Sequence, residues 1–231
     1  MFDRGLFLRG AAVAAAASAL ESLAPMQSLA ATQAGAGVSP DAALAKLMGG
    51  NRVFVAEMAS TRAQTIEERA ALGAGQAPWA SILTCADSRL APEIIFNVGL
   101  GDIFVSRVAG NVADPTETAS LEYGSAVLGS QLIVVMGHSA CGAVQSTIDA
   151  ANGKTMPSED LKHLVATIMP AVRSVKGKPG NELVNATKAN ALAGVAHLQA
   201  NAILKSIIAH GKLKIVGAYY DLATGKVSLL T

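Results

Sequence analysis

From Trp79 onward, short continuous apolar runs alternate with longer stretches whose apolar residues recur every three or four positions. Gln131 to Gly137 is the clearest run. It is apolar on both faces and predicts a central strand of a parallel sheet. Trp79–Thr84 and Asp102–Arg107 predict two further strands. Leu213–Tyr220 and Lys226–Leu230 predict closing strands joined by a turn at Thr224-Gly225. Helical spacing covers Thr116–Leu128, Cys141–Asp149, Ser158–Val175 and Asn181–His210. Ahead of the strands, Pro40 starts a helix with Ser39 as N-cap and Leu44, Leu47, Met48 and Phe54 on its apolar side. A second helical stretch, Thr61–Leu72, ends before Gly73, Gly75 and Pro78. The alternation predicts an α/β fold: a mostly parallel central β-sheet flanked by helices, with an N-terminal helical arm. No internal repeat is present, and residues 40–231 read as one domain.

Length and charge narrow the function classes. The 231 residues suffice for one substantial core, and 51% apolar residues exclude a disordered chain. The formal net charge is +1 and no basic block stands out, so neither nucleic acid nor an anionic membrane surface is expected as a partner.

Residues 1–30 differ from the rest. Arg4 and Arg9 form a positive start, Ala11–Leu20 an apolar run, and Ser28-Leu29-Ala30 a small-residue cleavage pattern. This is the layout of a secretory signal peptide, too short in its apolar part to span a bilayer. Arg4-Gly5-Leu6-Phe7-Leu8-Arg9 resembles a degenerate twin-arginine signal, with Gly5 where the second arginine belongs. Residues 31–39, small and polar, read as a linker. The expected location is periplasmic or secreted, with the cytoplasm as the alternative and no stable membrane association.

The chain has only two cysteines, Cys85 and Cys141. Alone, such a pair reads as buried apolar residues or one disulfide. Their neighbours change that. Cys85 follows one predicted strand, His138 ends another, and Cys141 starts the next helix. Ligands in open parallel sheets bind outside the carboxyl ends of strands, so all three residues are directed to one rim. Two thiolates and an imidazole suit zinc, whose catalytic sites keep three protein ligands and one open position. A closed structural site lacks a third cysteine here, and a redox pair lacks Cys-x-x-Cys. Asp87, two residues past Cys85, either binds the metal or accepts a proton beside it. Arg89 is placed to hold that carboxylate by paired hydrogen bonds.

Cys85-Ala86-Asp87-Ser88-Arg89, followed far downstream by Gly137-His138-Ser139-Ala140-Cys141-Gly142-Ala143, resembles the β-carbonic anhydrase family. Gly50-Asn51-Arg52, the run Gly101–Asn111 and Ser120-Leu121-Glu122-Tyr123 extend the resemblance over about Leu44–Leu230. It implies Zn2+ held by Cys85, His138 and Cys141, with Asp87 and Arg89 as a catalytic dyad. It also implies reversible hydration of carbon dioxide to bicarbonate, with zinc hydroxide as nucleophile. Gln76 matches the substrate-binding glutamine of the plant-like subset, and a backbone amide near Gly142 would orient a substrate oxygen. The other subset carries a tryptophan three residues before the first cysteine ligand, where this chain has Ile82. That places it with the open-site, plant-like forms. Val108 stands where the family often has asparagine. The resemblance further implies a homodimer or higher even-numbered homo-oligomer. Alternatives on the same motifs are a carbonyl sulfide or carbon disulfide hydrolase, or a non-catalytic zinc and bicarbonate-binding protein with Asp87 as fourth ligand. His163, His197 and His210 are expected at the surface.

Overall fold

The computed structural model describes residues 38–59 and 65–231. The expected signal segment, residues 31–37 of the linker and the first residues of the second helical stretch lie outside them. In chain order the elements are α1 (Pro40–Val55), α2 (Ile66–Leu72), β1 (Ala80–Thr84), α3 (Pro92–Ile95), β2 (Ile103–Arg107), α4 (Pro115–Glu122), β3 (Leu132–His138), α5 (Gly142–Ala151), α6 (Glu159–Val175), α7 (Glu182–Ala200), α8 (Ala202–Ala209), β4 (Lys214–Tyr220) and β5 (Val227–Leu230). Among the described residues the strands form one sheet in the order β2-β1-β3-β4-β5. All pairs are parallel except β4 with β5. This is the predicted α/β architecture.

Period-two side-chain alternation splits the core into two layers. On one face, Ile82, Leu132, Val134 and Met136 pack with Leu47, Val144, Ile168 and Val172. On the other, Leu83, Ile133 and Val135 pack with Leu121, Val195, Leu198 and Leu204. Because helices cover both faces, β1 and β3 are buried at every position.

Ser39 caps α1 as expected, its Oγ accepting from Ala42 N at 3.2 Å. Asn51, 3% exposed, ties α1 to the rest. Its Nδ2 donates to the carbonyls of Ile95 (3.1 Å) and Gly225 (2.9 Å), and its Oδ1 accepts from Val227 N at 2.9 Å. Gly50 permits that approach, since a Cβ there would lie 1.7 Å from Phe96 O.

Two expectations are corrected. The helix predicted over Asn181–His210 is two helices bent by 80° at Asn201. Asn201 takes an extended backbone, and its Oδ1 accepts from Ile203 N and Leu204 N. Its Nδ2 reaches Glu122 Oε1 at 2.5 Å, which anchors the corner. The helix predicted over Thr116–Leu128 runs as α-helix only to Glu122 and continues as a π-helical turn, Tyr123–Val127. There Gly124 lies close against Ser81 and Phe104 of the sheet. The short helix α3 was not foreseen. Among the described residues no single helix is long and apolar enough to cross a membrane.

Candidate metal centre

Register alone brings the key residues together. Thr84 pairs with Met136 in the parallel β1–β3 ladder, so Cys85 comes level with Gly137, one residue short of His138. Ser139 and Ala140 form the turn out of β3, Ala140 in a left-handed backbone (φ 55°), and Cys141 becomes the N-cap of α5. The two Sγ atoms and a ring nitrogen of His138 all lie within 4.8 Å of one another. Tetrahedral bonds of about 2.0–2.3 Å to a single zinc ion hold donor atoms about 3.5–3.8 Å apart, which small side-chain adjustments reach from this spacing. Cys85 is 5% exposed and the other two are fully buried. The cysteines are free thiols, not a disulfide.

The imidazole is set for a metal. His138 Nδ1 lies 2.9 Å from the carbonyl oxygen of Ser139. A carbonyl only accepts, so Nδ1 carries the proton and Nε2 keeps its lone pair. That Nε2 is buried and has no hydrogen-bond partner among the described residues. Unpaired buried nitrogen is unfavourable, and a cation resolves it. Ser139 is itself fixed: its N–H donates to Tyr220 O at 2.9 Å, and its Oγ accepts from Leu222 N at 2.9 Å. The end of β4 thereby orients the ring, as outer-shell partners do around metal-binding histidines.

The sulfurs are poised as a pair. The Cys85 thiol is pulled well below its usual range, first by a hydrogen bond from Cys141 and also by the amides of Gly110 and Asp87, against the opposing effect of burial. Gly110 N lies 3.3 Å from Cys85 Sγ. Cys141 is pushed up by the Cys85 thiolate and by burial, against the amides of Val144 and Ala143 at the start of α5. The two shifts run in opposite directions, so ionisation of one sulfur opposes ionisation of the other; a divalent cation would neutralise both. The residues therefore fit zinc.

Asp87 stands apart from the donor set, held by Arg89. Its Oδ1 accepts from Arg89 N and Nε, each at 2.9 Å, and its Oδ2 from the guanidinium at 2.6 Å. The Arg89 guanidinium holds this carboxyl far below the usual carboxylate range. Arg107, at the end of β2, was missed by sequence reasoning. It donates from Nε to Cys85 O (3.2 Å) and from its guanidinium to Asp87 O (2.6 Å), fixing the loop that carries both residues. Only its place in the motif Ser106-Arg107 hinted at a role.

Not every expected residue converges. Gly142 is exposed at the first turn of α5, and a Cβ there would meet nothing within 4 Å, so its surroundings are open. Gln76 is exposed and precedes the amino end of β1, whereas Cys85 follows its carboxyl end; the strand separates them. His163, His197 and His210 are exposed, as expected.

The sequence profile of the carbonic anhydrase family matches residues 80–227, a span that starts with β1 and contains all three metal-facing residues. Carbonic anhydrase 2 of Mycobacterium tuberculosis is 40% identical over 192 residues, covering 83% of this chain and 93% of that protein. The β-carbonic anhydrase of Coccomyxa, solved in complex with acetazolamide, superposes with a TM-score of 0.62 at 27% identity, over 81% of this chain and 86% of that one. A tetrameric β-carbonic anhydrase of Sordaria macrospora shares the fold, with a TM-score of 0.65 at 24% identity over 81% and 96% of the two chains. A buried Cys-His-Cys cluster on the rim of a parallel sheet, matched in sequence and in fold, has one reading: the chain belongs to the β-carbonic anhydrase family.

Proposed function

We propose that this protein catalyses the reversible hydration of carbon dioxide to bicarbonate and a proton, using zinc held by Cys85, His138 and Cys141. The observation that carries the proposal is the buried, unpaired Nε2 of His138 facing two sulfurs, with Asp87 clamped outside that set. When bound, zinc supplies a Lewis acid that makes water a nucleophile near neutral pH. The chain's own residues do the rest. Cys85 and Cys141 provide two negative charges, and Ser139 holds the imidazole at the correct tautomer. Asp87, kept ionised by Arg89, would accept a hydrogen bond from the attacking water and orient it. Arg107 holds the Cys85–Asp87 backbone in place for both tasks.

The open-site, plant-like form is the finer reading. It is supported by Ile82 in place of tryptophan and by the Asp87–Arg89 pair, which occupies both carboxylate oxygens. X-ray absorption on the zinc protein at neutral pH tests it: two sulfurs, one nitrogen and one non-carboxylate oxygen are expected, and a carboxylate in the first shell overturns it. Gly142, beside open space, suits a substrate-facing amide. Gln76 serves as a substrate ligand only at the site of a second copy, which agrees with an even-numbered homo-oligomer. Residues 1–30 act as an export signal and 31–39 as a linker to the domain 40–231; the mass of the mature protein in the periplasmic fraction tests this.

Stopped-flow carbon dioxide hydration, with and without a zinc chelator, tests the activity. Hydration that disappears with the chelator and returns with zinc is expected. Zinc-loaded protein inactive across pH 7 to 9 overturns the proposal. Cys141→Ser should lose stoichiometric zinc by elemental analysis.

A further inference from the structure

The amide that donates to Cys85 belongs to a turn with little support of its own. Gly110 and Asn111 both adopt left-handed backbone, at φ 70° and 45°. Asparagine tolerates that conformation better than other side chains do, but it still costs more there than glycine. A Cβ on Gly110 would fall 2.6 Å from Ile168 Cδ1 and 3.2 Å from Ala143 Cβ, so the position takes glycine alone. Within the turn, Asn111 N donates to Val108 O at 3.0 Å. The Asn111 side chain, 1% exposed, bonds through neither of its polar atoms.

The external clamp comes from α7. Asn190, 7% exposed, donates from Nδ2 to Gly110 O at 2.7 Å, across 80 positions of chain. Gly110 in turn donates its N–H to Cys85 Sγ. We propose that Asn190 is a positioning residue of the metal centre, holding the Gly110–Asn111 turn so that one amide stays aimed at the Cys85 sulfur. The proposal rests on the zinc reading above.

A hydrogen bond to a metal-bound thiolate fixes the sulfur's direction and withdraws part of its charge. Without Asn190 the buried Gly110 carbonyl loses its partner, and the left-handed turn relaxes towards a conformation that redirects the amide. Loss of such outer-shell partners weakens metal binding about ten- to hundredfold. Asn190 and Asn111 also line a cavity of about 160 Å³ with Thr167 and His197, which leaves room for one more methylene at position 190.

The test uses the full chain. Zinc transfer to a chelator gives affinity, and the sulfur-to-metal charge-transfer band of the cobalt(II) protein reports the thiolates without any turnover. Asn190→Asp, which keeps the outline and removes the donor, and Asn190→Ala should each bind zinc about ten- to hundredfold more weakly and shift the cobalt band. Asn190→Gln should recover much of both. Val195→Ala truncates the same helix in the other core layer. It should lower the melting temperature while leaving affinity and band unchanged. Wild-type affinity and band in Asn190→Asp overturn the proposal, as does a Val195→Ala that matches it. Wild-type protein without stoichiometric zinc overturns the metal reading itself, and this proposal with it.

Discussion

Arg89 reaches back two residues to Asp87 and occupies both oxygens of its carboxylate, while its own backbone N–H adds a third bond. The pair is asymmetric in exposure: the Asp87 side chain is 16% accessible and that of Arg89 is 52%. The arginine is the solvent-facing partner, so it serves to hold the carboxylate in place more than to stabilise the fold, since exposed pairs contribute little.

Asp87→Asn should therefore keep zinc and the fold but lose about a hundredfold or more in turnover, the usual scale for a removed proton acceptor. Elemental analysis and stopped-flow hydration on the same preparation check both halves. The carboxyl is depressed in the folded state, so its ionised form contributes stability in full above its ordinary pKa of about 3.9, and this contribution disappears as pH falls through the lower folded value. Any fall in activity between pH 6 and 8 should accordingly not come from Asp87, and its midpoint should be the same in Arg89→Lys as in the wild type.

Zinc binding should release a proton from the cysteine pair. With Cys85 lowered and Cys141 raised, the pair carries one proton at pH 7.5 in the metal-free protein. Metal ligation requires both thiolates. Calorimetric titration in buffers of different ionisation enthalpy should report about one proton displaced from the protein.

Arg107→Ala should lower kcat about tenfold or more while zinc content stays near stoichiometric. It frees the carbonyls of Cys85 and Asp87 without touching a ligand atom. Arg107→Lys should not restore the rate, because one ammonium does not reproduce a forked contact to two carbonyls. Steady-state kinetics beside metal analysis separates the effects.

Asn51→Ala should destabilise the protein by about 2–4 kcal/mol, since it leaves two carbonyls and one amide without their buried partner. Urea unfolding measures the loss. Below the unfolding transition, activity per zinc should remain at the wild-type level.

The sheet and the metal residues were legible from the sequence because each has a local signature. Six successive buried positions in β3, Leu132–Gly137, appear as an unbroken apolar run, and Cys85, His138 and Cys141 are rare residue types at strand ends. The corner at Asn201 was not legible. The apolar spacing continues through it, and the cap is visible only when Glu122 is seen to meet Asn201 from a distant helix. The outer shell was equally hidden. Gly110 and Arg107 reach Cys85 and its loop from other elements, Asn190 reaches Gly110 from α7, and nothing in their own neighbourhoods announces a sulfur. Gln76 was matched by motif alone, and strand direction then placed it beyond the far end of β1.

The metal residues come from two separate strands, so an ion bound there also acts as a cross-link between β1 and the β3–α5 turn. An ion that prefers the folded chain would add up to about 1.4 kcal/mol to folding for each tenfold rise in free zinc above its dissociation constant. Heat tolerance in this protein is thereby tied to the surrounding metal supply. A cell starved of zinc would lose the protein to unfolding and proteolysis as well as losing its chemistry.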